Sequence, residues 1–327
     1  MPTISLPINN FQRENCIFSD EEWRKNNDKR SIVRRVYDFI IMIFRELAYE
    51  IHTVTYRLFT SQQRFPLHDQ EIEWKNDTKG LCVFIHGLNG HPHVWDKHIS
   101  LIQDSTLDIY APHVHHGGRC SLDEAIDPLF KRISDYALKN PKSPISLMGV
   151  SNGGRLALAL ETMIRKNAPK TDVKVSTIAS IHFGTPFIKF MKNLGLCEWV
   201  VDPIVAEEFE YGSKKAQEIL AKVQEPIPVG NGVRSYEFFA TFEDIFVGDL
   251  GCSLPKFSDE DKHEILQGYG HNSIVSAVAV KQVKNTVDWM HERNKIRKQE
   301  ELELQALEEH RNTACGLLQS IYNVCVA

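Results

Sequence analysis

Apolar residues recur at helical spacing between Ser31 and Thr60, and no proline or glycine interrupts them. This spacing predicts one long amphipathic helix, which follows a polar and irregular segment over residues 1–29. The apolar positions are Val33, Val36, Ile40, Ile43, Leu47, Ile51, Val54 and Leu58.

Short continuous apolar runs follow this helix, and they predict buried strands. The runs are 81–85, 107–111, 145–148, 175–183, 236–241 and 263–267. Helical periodicity predicts helices over 123–140, 155–166 and 274–290. Because short apolar strands alternate with helices, we expect an α/β fold with a mostly parallel sheet that is covered by helices on both faces.

Two helical segments extend this alternating pattern. Residues 188–224 form an insertion between two strands with helical pieces and no strand, which predicts a lid or cap. The run 292–311 is dense in charge, basic first and acidic after, and it predicts a solvated helix before an apolar end at 316–327. The chain therefore divides into an N-terminal extension (1–64), a central α/β domain (65–293) and a C-terminal helical extension (294–327).

Composition narrows the classes of partner and compartment. The 327 residues carry a formal net charge of -5, which argues against a nucleic-acid partner, and 42% are hydrophobic, enough for a buried core. The seven cysteines are scattered and form no CxxC pair, so we expect a reducing, cytoplasmic compartment without a disulfide framework. The first fifteen residues do not resemble a secretory signal.

The apolar stretch 39–44 leaves two interpretations of the predicted helix open. The stretch is too short to span a bilayer. Its almost all-round apolar character favours packing of residues 31–60 against the central domain or the C-terminal helix. The alternative is a membrane-surface helix, whose basic residues meet anionic head groups while its apolar residues enter the acyl boundary. Those basic residues are Lys29, Arg30, Arg34, Arg35, Arg45 and Arg57.

Ser151 is the candidate nucleophile. It lies in Gly149-Val-Ser-Asn-Gly153, between a predicted strand and a predicted helix. A strand-to-helix turn of this sharpness strains the backbone of the serine and crowds its neighbours, so the flanking positions require glycine.

A glycine-rich turn over residues 86–90 follows the first buried strand. Such a turn exposes backbone N–H groups, and we expect those of Leu88 and Asn152 to form an oxyanion hole. A tight turn without a ligand is the alternative. His86 is expected to brace this loop and not to transfer protons.

A serine hydroxyl needs a base, and the base needs an orienting carboxylate. Asp244 and His271 each follow a predicted strand, at the sheet edge where sites in open α/β sheets form. The order Ser151, Asp244, His271 is the nucleophile–acid–base order of one fold family. Rival acids are Glu243, Asp249 and Asp202, and the rival base is His263.

Four segments together resemble an α/β-hydrolase of the lipase and serine esterase branch. They are LCVFIHGLNGHPHVW, SLMGVSNGGRLAL, FATFEDIFV and GYGHNSI, which occur in the family's order over roughly residues 79–290. The resemblance implies an eight-stranded sheet, a triad of Ser151, His271 and Asp244, oxyanion donors at Leu88 and Asn152, and no metal or other cofactor. A metal at His113, His115 and His116 is not expected either, because this loop follows a strand end and is more simply interpreted as part of the rim of the catalytic site.

Two features depart from the family's pattern. Lipases more often have Leu, Met or Gln at the position of Asn152, whose side chain would make the substrate entrance more polar. The first two strands of the family's sheet would have to precede residue 81, where only Glu71–Trp74 reads as a strand.

The expected activity is hydrolysis of a carboxylic ester, a lipid or other acyl ester, through an acyl-enzyme. Two alternatives remain open. One is a non-catalytic protein of the same fold that binds a membrane or a protein partner, and the other is acyl transfer or thioester hydrolysis on the same triad. The sequence indicates no oligomeric state, and it leaves open whether a cytoplasmic protein attaches to a membrane through residues 31–60.

Overall fold

A parallel sheet forms the centre of the computed structural model, which describes residues 28–59, 74–75, 78–195, 197, 201–248 and 250–326. The six described strands pair in the order β2-β1-β3-β4-β5-β6, and every pair is parallel. They are β1 (Leu81–Ile85), β2 (Asp108–Tyr110), β3 (Ile145–Val150), β4 (Val173–Ile178), β5 (Arg234–Thr241) and β6 (Lys262–Leu266). Their carboxyl ends therefore meet at one edge of the sheet.

Helices cover both faces of this sheet. The helices are α1 (Ile32–Phe59), α2 (Asp96–Leu101), α3 (Leu122–Lys139), α4 (Asn152–Asn167), α5 (Pro186–Asn193), α6 (Pro203–Phe209), α7 (Lys214–Gln224), α8 (Leu250–Ser253) and α9 (Ser273–Val326). Because successive side chains of a strand point to opposite faces, Leu81, Val83 and Ile85 pack with α3, α4 and α7. Cys82 and Phe84 pack with α9. The predicted α/β architecture is confirmed.

The strands occupy the predicted places, with one clear shift. β4 ends at Ile178 and not at Phe183, because Ala179 adopts a positive φ of 46° and turns the chain out of the ladder. The resemblance implied eight strands, and the described residues form six. The strand predicted over 71–74 lies outside the described residues except for Trp74, which is not in a strand.

The insertion between β4 and β5 is helical, as predicted. It contains α5, α6 and α7. Its own apolar cluster includes Val205 and Phe209, and it also buries Cys252 and Val247 from the segment after β5. The insertion is thus packed on the chain segment that follows β5.

The last helix is longer than the sequence suggested. α9 is one continuous helix of 54 residues, which corresponds to about 80 Å. No proline or glycine occurs between His271 and Gly316, so nothing breaks it at the proposed boundary of 293. Arg293 and Arg297 hold it to the sheet, donating to Asp172 Oδ2 at 3.0 and 2.8 Å. Residues 302–315 are exposed.

Helix α1 forms as predicted, but its apolar residues face outward. The buried stripe contains Asp38 and Met42, exposed by 3% and 4%. Glu46 and Glu50, at the next two i+4 positions, bond to Asn272 of the central domain. The expectation that the whole section 39–44 is enclosed is therefore wrong. Met42 is buried, but its apolar neighbours are exposed, and polar side chains supply many of the contacts with the body. The exposed residues include Phe39, Ile40, Ile43, Phe44 and Leu47.

No described helix has the length and apolar composition that crossing a bilayer requires.

Candidate active site

Ser151 lies at a sharp turn between β3 and α4. Its backbone has φ 55° and ψ -125°, a conformation that a non-glycine residue adopts only when its surroundings enforce it. The Ser151 N–H donates to Ile178 O of the neighbouring strand at 2.9 Å, and the Gly154 N–H donates to Ser151 O at 3.1 Å. The strained turn predicted for Ser151 is present.

The glycines at and beside this turn are required because neighbouring atoms leave no room for a side chain. A Cβ at Gly149 would overlap Gly153 O, and a Cβ at Gly153 would overlap Ile85 O at the end of β1. A Cβ at Gly87 would lie 2.9 Å from Ser151 Cβ. The loop after β1 thus passes directly beside the Ser151 side chain, which is where an oxyanion-hole loop must lie.

His86 braces this loop from inside the protein. Its Nε2 accepts from the Val114 N–H at 2.9 Å, so its Nδ1 carries the proton and donates to Gly87 O at 2.8 Å. The Asn89 N–H donates to Gly117 O at 2.8 Å. The path of the loop past Ser151 is therefore fixed by hydrogen bonds to the segment after β2.

His271 and Asp244 form a hydrogen-bonded pair. His271 Nδ1 lies 2.7 Å from Asp244 Oδ2, and Asp244 Oδ1 accepts from the N–H groups of Phe246 and Val247 at 2.9 and 3.0 Å. Because Asp244 in its ionised form only accepts hydrogen bonds, it holds the proton on Nδ1 and leaves Nε2 free of a proton.

The electrostatic surroundings raise the pKa of His271. Burial by itself lowers the pKa of His271, since the ring is only 13% exposed. The charge of Asp244, its hydrogen bond and the charge of Glu46 raise this pKa, and together they outweigh burial. The pKa of His271 therefore lies above its ordinary value.

The rival acids and the rival base have other partners. Glu243 accepts from Arg30 at 2.9 Å and from the Gly268 N–H at 2.9 Å. Asp202 caps α6 by accepting from the Ile204 N–H, and His263 Nε2 bonds to Pro255 O. Asp249 lies outside the described residues.

Asn152 is buried, which corrects the expectation that it makes the substrate entrance more polar. It is 2% exposed, and its Oδ1 accepts from Arg155 Nε at 3.1 Å. Arg155 Nη2 in turn donates to Glu208 Oε2 at 3.0 Å. The side chain of Asn152 therefore belongs to a polar connection with the insertion.

The histidine-rich loop after β2 packs ring against ring beside the loop 86–90. His113 makes an edge contact with His91 at 4.4 Å between centroids, and His115 lies 4.0 Å from His116. Among the described residues, no group of three His, Cys, Asp or Glu side chains is arranged to hold a metal.

Sequence reasoning missed the residues by which α1 reaches the loop of His271. Arg45 donates to Gly268 O at 2.6 Å, and Glu46 accepts from the N–H groups of Asn272 and Ser273. One signal was available, since Asp38, Glu46 and Glu50 share an i+4 stripe of an otherwise basic and apolar helix. Nothing in the sequence could name the partners of Glu46 and Glu50, which lie more than 200 positions away.

Comparison with known proteins gives matches in structure only. No family model matches the chain, and no curated protein matches it in sequence. An extracellular α/β-hydrolase from a Paenibacillus species is 14% identical, with 64% of this chain and 98% of that chain covered and a TM-score of 0.41. The monoacylglycerol lipase of Paleococcus ferrophilus is 16% identical, with 67% and 97% covered and a TM-score of 0.42.

The strand order and the connections of this chain identify its fold. An all-parallel sheet of six described strands is covered by helices on both faces, and β3 leads through a strained serine turn into α4. The pair of Asp244 and His271 follows β5 and β6 at the same edge. The chain has the α/β-hydrolase fold.

Proposed function

We propose that this protein is a serine hydrolase that cleaves carboxylic esters through an acyl-enzyme. The observation that carries the proposal is the 2.7 Å contact between Asp244 and His271, at the sheet edge that also presents the strained turn of Ser151. A histidine that is oriented by a buried carboxylate can activate the hydroxyl of a serine that the same sheet edge presents.

In the proposed reaction, Ser151 Oγ attacks the ester carbonyl while His271 Nε2 takes its proton. Asp244 keeps the imidazole in the required tautomer and stabilises the imidazolium that forms. The N–H groups of Leu88 and Asn152 bind the oxyanion, and His271 then gives its proton to the leaving alcohol. Water that is deprotonated by His271 releases the acyl group from Ser151.

Apolar side chains around His271 support an acyl or lipid ester as the substrate. The Phe246 ring lies 5.4 Å from the His271 ring, and Phe187 lies 5.4 Å from Phe246. Phe246 and Phe190 are exposed by 42% and 56%. An apolar rim of this kind suits an acyl chain better than a charged substrate.

The outward face of α1 supports attachment to an anionic membrane surface. Phe44 is 64% exposed and Ile43 is 48% exposed. Asp38 and Glu46 turn toward the body. The basic side chains of Arg34 and Arg35 pair with Asp38 and Asp28 and are still 58% and 41% exposed. A helix that presents apolar and basic groups to solvent binds anionic lipid surfaces, which would bring a lipid ester to the site.

A fluorophosphonate probe tests the catalytic proposal. The folded wild-type protein should be labelled at Ser151 and should hydrolyse members of a chain-length panel of acyl esters and phospholipids. Ser151→Ala should lose both labelling and hydrolysis, whereas Ser100→Ala, at an exposed serine of α2, should keep both. Equal labelling of wild type and Ser151→Ala would refute the enzyme and favour a non-catalytic binding protein.

Thioester hydrolysis and acyl transfer use the same triad and differ in the leaving group or the acceptor. Adding thioesters and an alcohol acceptor to the same panel distinguishes them from ester hydrolysis.

A further inference from the structure

Helix α1 contacts the loop that carries His271 through a carboxylate. Glu46 Oε1 accepts from the Ser273 N–H at 2.7 Å and from the Asn272 N–H at 3.2 Å. These are the two residues that follow His271, and Ser273 is the first residue of α9. Glu46 therefore binds backbone groups directly adjacent to the histidine.

The glycines of this loop provide the space for α1. A Cβ at Gly270 would lie 2.6 Å from Glu46 Cγ, and a Cβ at Gly268 would lie 3.2 Å from Arg45 Nη1. The Arg45 guanidinium lies 4.0 Å from the centre of the Tyr269 ring. The loop 268–273 and α1 thus pack closely against each other, and a side chain at Gly268 or Gly270 would crowd this contact.

A second contact holds the segment that carries Asp244. Arg30 donates to Glu243 Oε1 at 2.9 Å and to Asp38 at 2.7 Å, and its side chain is only 9% exposed. Glu243 Oε2 accepts from the Gly268 N–H at 2.9 Å. Arg30, which precedes α1, thus binds Glu243 beside Asp244, and Glu46 of α1 binds the residues after His271. Both loops of the acid–base pair are therefore contacted from this side.

We propose that Glu46 is a positioning residue for the catalytic base, holding His271 against Asp244 through the backbone of Asn272 and Ser273. This inference rests on the proposed serine hydrolase function. It makes α1 part of the hydrolytic machinery, although the helix lies outside the sheet domain. Glu46 touches no reacting atom and acts through His271.

Glu46 also acts on His271 by its charge. Its negative charge raises the pKa of His271, in the same direction as Asp244. The other charged groups near this loop are already committed to partners. Glu50 accepts from the Asn272 side chain, Arg45 holds Gly268 O, Arg30 pairs with Glu243, and Lys97 of α2 donates to Ser276 O.

Three variants of the full-length protein test the two effects separately. Glu46→Gln keeps a hydrogen-bond acceptor and removes the charge, whereas Glu46→Ala removes both. Glu50→Gln is the matched control, since Glu50 lies one turn along the same stripe and, within the described part of the chain, hydrogen-bonds to the side chain of Asn272. The measurements are the NMR titration of the His271 ring and the pH profile of kcat/KM for a soluble short-chain ester.

Glu46→Gln should lower the pKa of His271 and move the rising limb of kcat/KM to lower pH by the same amount. Glu46→Ala should in addition lower kcat about tenfold where His271 is neutral, with KM unchanged, because the base is less well held. Glu50→Gln should match wild type. Recovery of kcat in Glu46→Gln relative to Glu46→Ala identifies the hydrogen bonds as the positioning contact.

An unchanged His271 titration in Glu46→Gln, or a loss of thermal stability alone in both Glu46 variants, would overturn the inference. The NMR titration does not depend on turnover. If wild type hydrolyses none of the esters while Glu46→Gln still shifts the titration, the proposed hydrolase function fails and the effect of Glu46 on His271 stands.

Discussion

Arg155 and Glu208 form an ion pair that joins the nucleophile helix to the helical insertion. The Arg155 side chain is 1% exposed, and its Nη2 lies 3.0 Å from Glu208 Oε2. Glu208 also accepts from the Leu122 N–H at the start of α3. Since Arg155 holds Asn152 as well, the position of the insertion is coupled to the residue that follows Ser151.

Removal of Glu208 should destabilise the protein strongly. Glu208→Ala leaves the buried Arg155 guanidinium without its carboxylate, and loss of one partner of a buried pair costs about 3–5 kcal/mol. We expect this decrease in the free energy of urea-induced unfolding, together with a lower kcat. Glu210→Ala is the control, since its pair with Lys192 is 42% and 39% exposed and should contribute less than about 1 kcal/mol. Equal effects of the two substitutions would contradict the coupling.

Asp244→Asn tests the assignment of the acid. An amide at this position donates to Nδ1 or leaves it in the wrong tautomer, so kcat should fall about ten-thousand-fold while the fold is retained. Asp202→Asn, which changes a rival carboxylate at the cap of α6, should keep nearly full activity. Substantial activity in Asp244→Asn would reject this aspartate as the orienting acid.

The pH dependence of the rate should reflect the raised pKa of His271. The base acts in its neutral form, so kcat/KM should rise with pH and have its midpoint above about 6.5. Stability should change in the opposite direction. The charged imidazole stabilises the fold below the unfolded pKa, and this contribution is lost as pH rises through the folded pKa. A midpoint at or below about 6.5 would contradict this interpretation.

Acid should destabilise the protein through two buried histidines. Burial lowers the pKa of both His98 and His182 to about 3. Below the unfolded pKa the unfolded chain binds protons that the folded chain does not, so each histidine lowers stability by about 1.4 kcal/mol per pH unit as pH falls. Urea unfolding between about pH 6.5 and about pH 4.5 measures this slope. His98→Gln and His182→Gln should each reduce it, and an unchanged slope would argue against neutral burial.

The outward face of α1 should bind anionic vesicles. Phe44→Glu places a charge in the apolar face, so binding to vesicles of phosphatidylcholine and phosphatidylserine should weaken at least about tenfold. Leu138→Glu is the control, because Leu138 of α3 is exposed by a similar 62% on another element. Cosedimentation measures both variants, and activity on a soluble ester should be unchanged. Equal binding of the two variants would refute a membrane surface on α1.

Local pattern was enough to predict the sheet and the candidate triad. The strands β1, β3 and β5 are short apolar runs, and candidate site residues follow their carboxyl ends. The glycines around Ser151 predicted that neighbouring backbone lies close to this turn, and the lack of room for a Cβ at Gly149 and Gly153 agrees with this prediction. Such features are encoded within a few neighbouring residues, and therefore the sequence reveals them.

The orientation of α1 could not be predicted in this way. Its apolar stripe predicted the helix correctly, but the sequence favoured burial of the section 39–44, and the structure exposes it. The side that faces the body is set by hydrogen bonds with the loop of His271, in which Arg45 donates to Gly268 O and Glu46 accepts from the Ser273 N–H. Leaving the backbone N–H groups of that loop unpaired would cost free energy, and the groups that pair with them lie far away in the chain. The pattern of residues 31–60 therefore could not show which side of α1 faces the body.

The sequence by itself determined the alternation of strands and helices, the turn at Ser151, and the choice of Asp244 and His271 as candidate acid and base. Hydrophobic periodicity and turn chemistry act over a few neighbouring residues, so the sequence shows them directly. Only the tertiary structure decided which carboxylate reaches His271, where Asn152 points and which face of α1 meets solvent. Those outcomes depend on long-range polar contacts, whose geometry exists only after the sheet has brought the loops together.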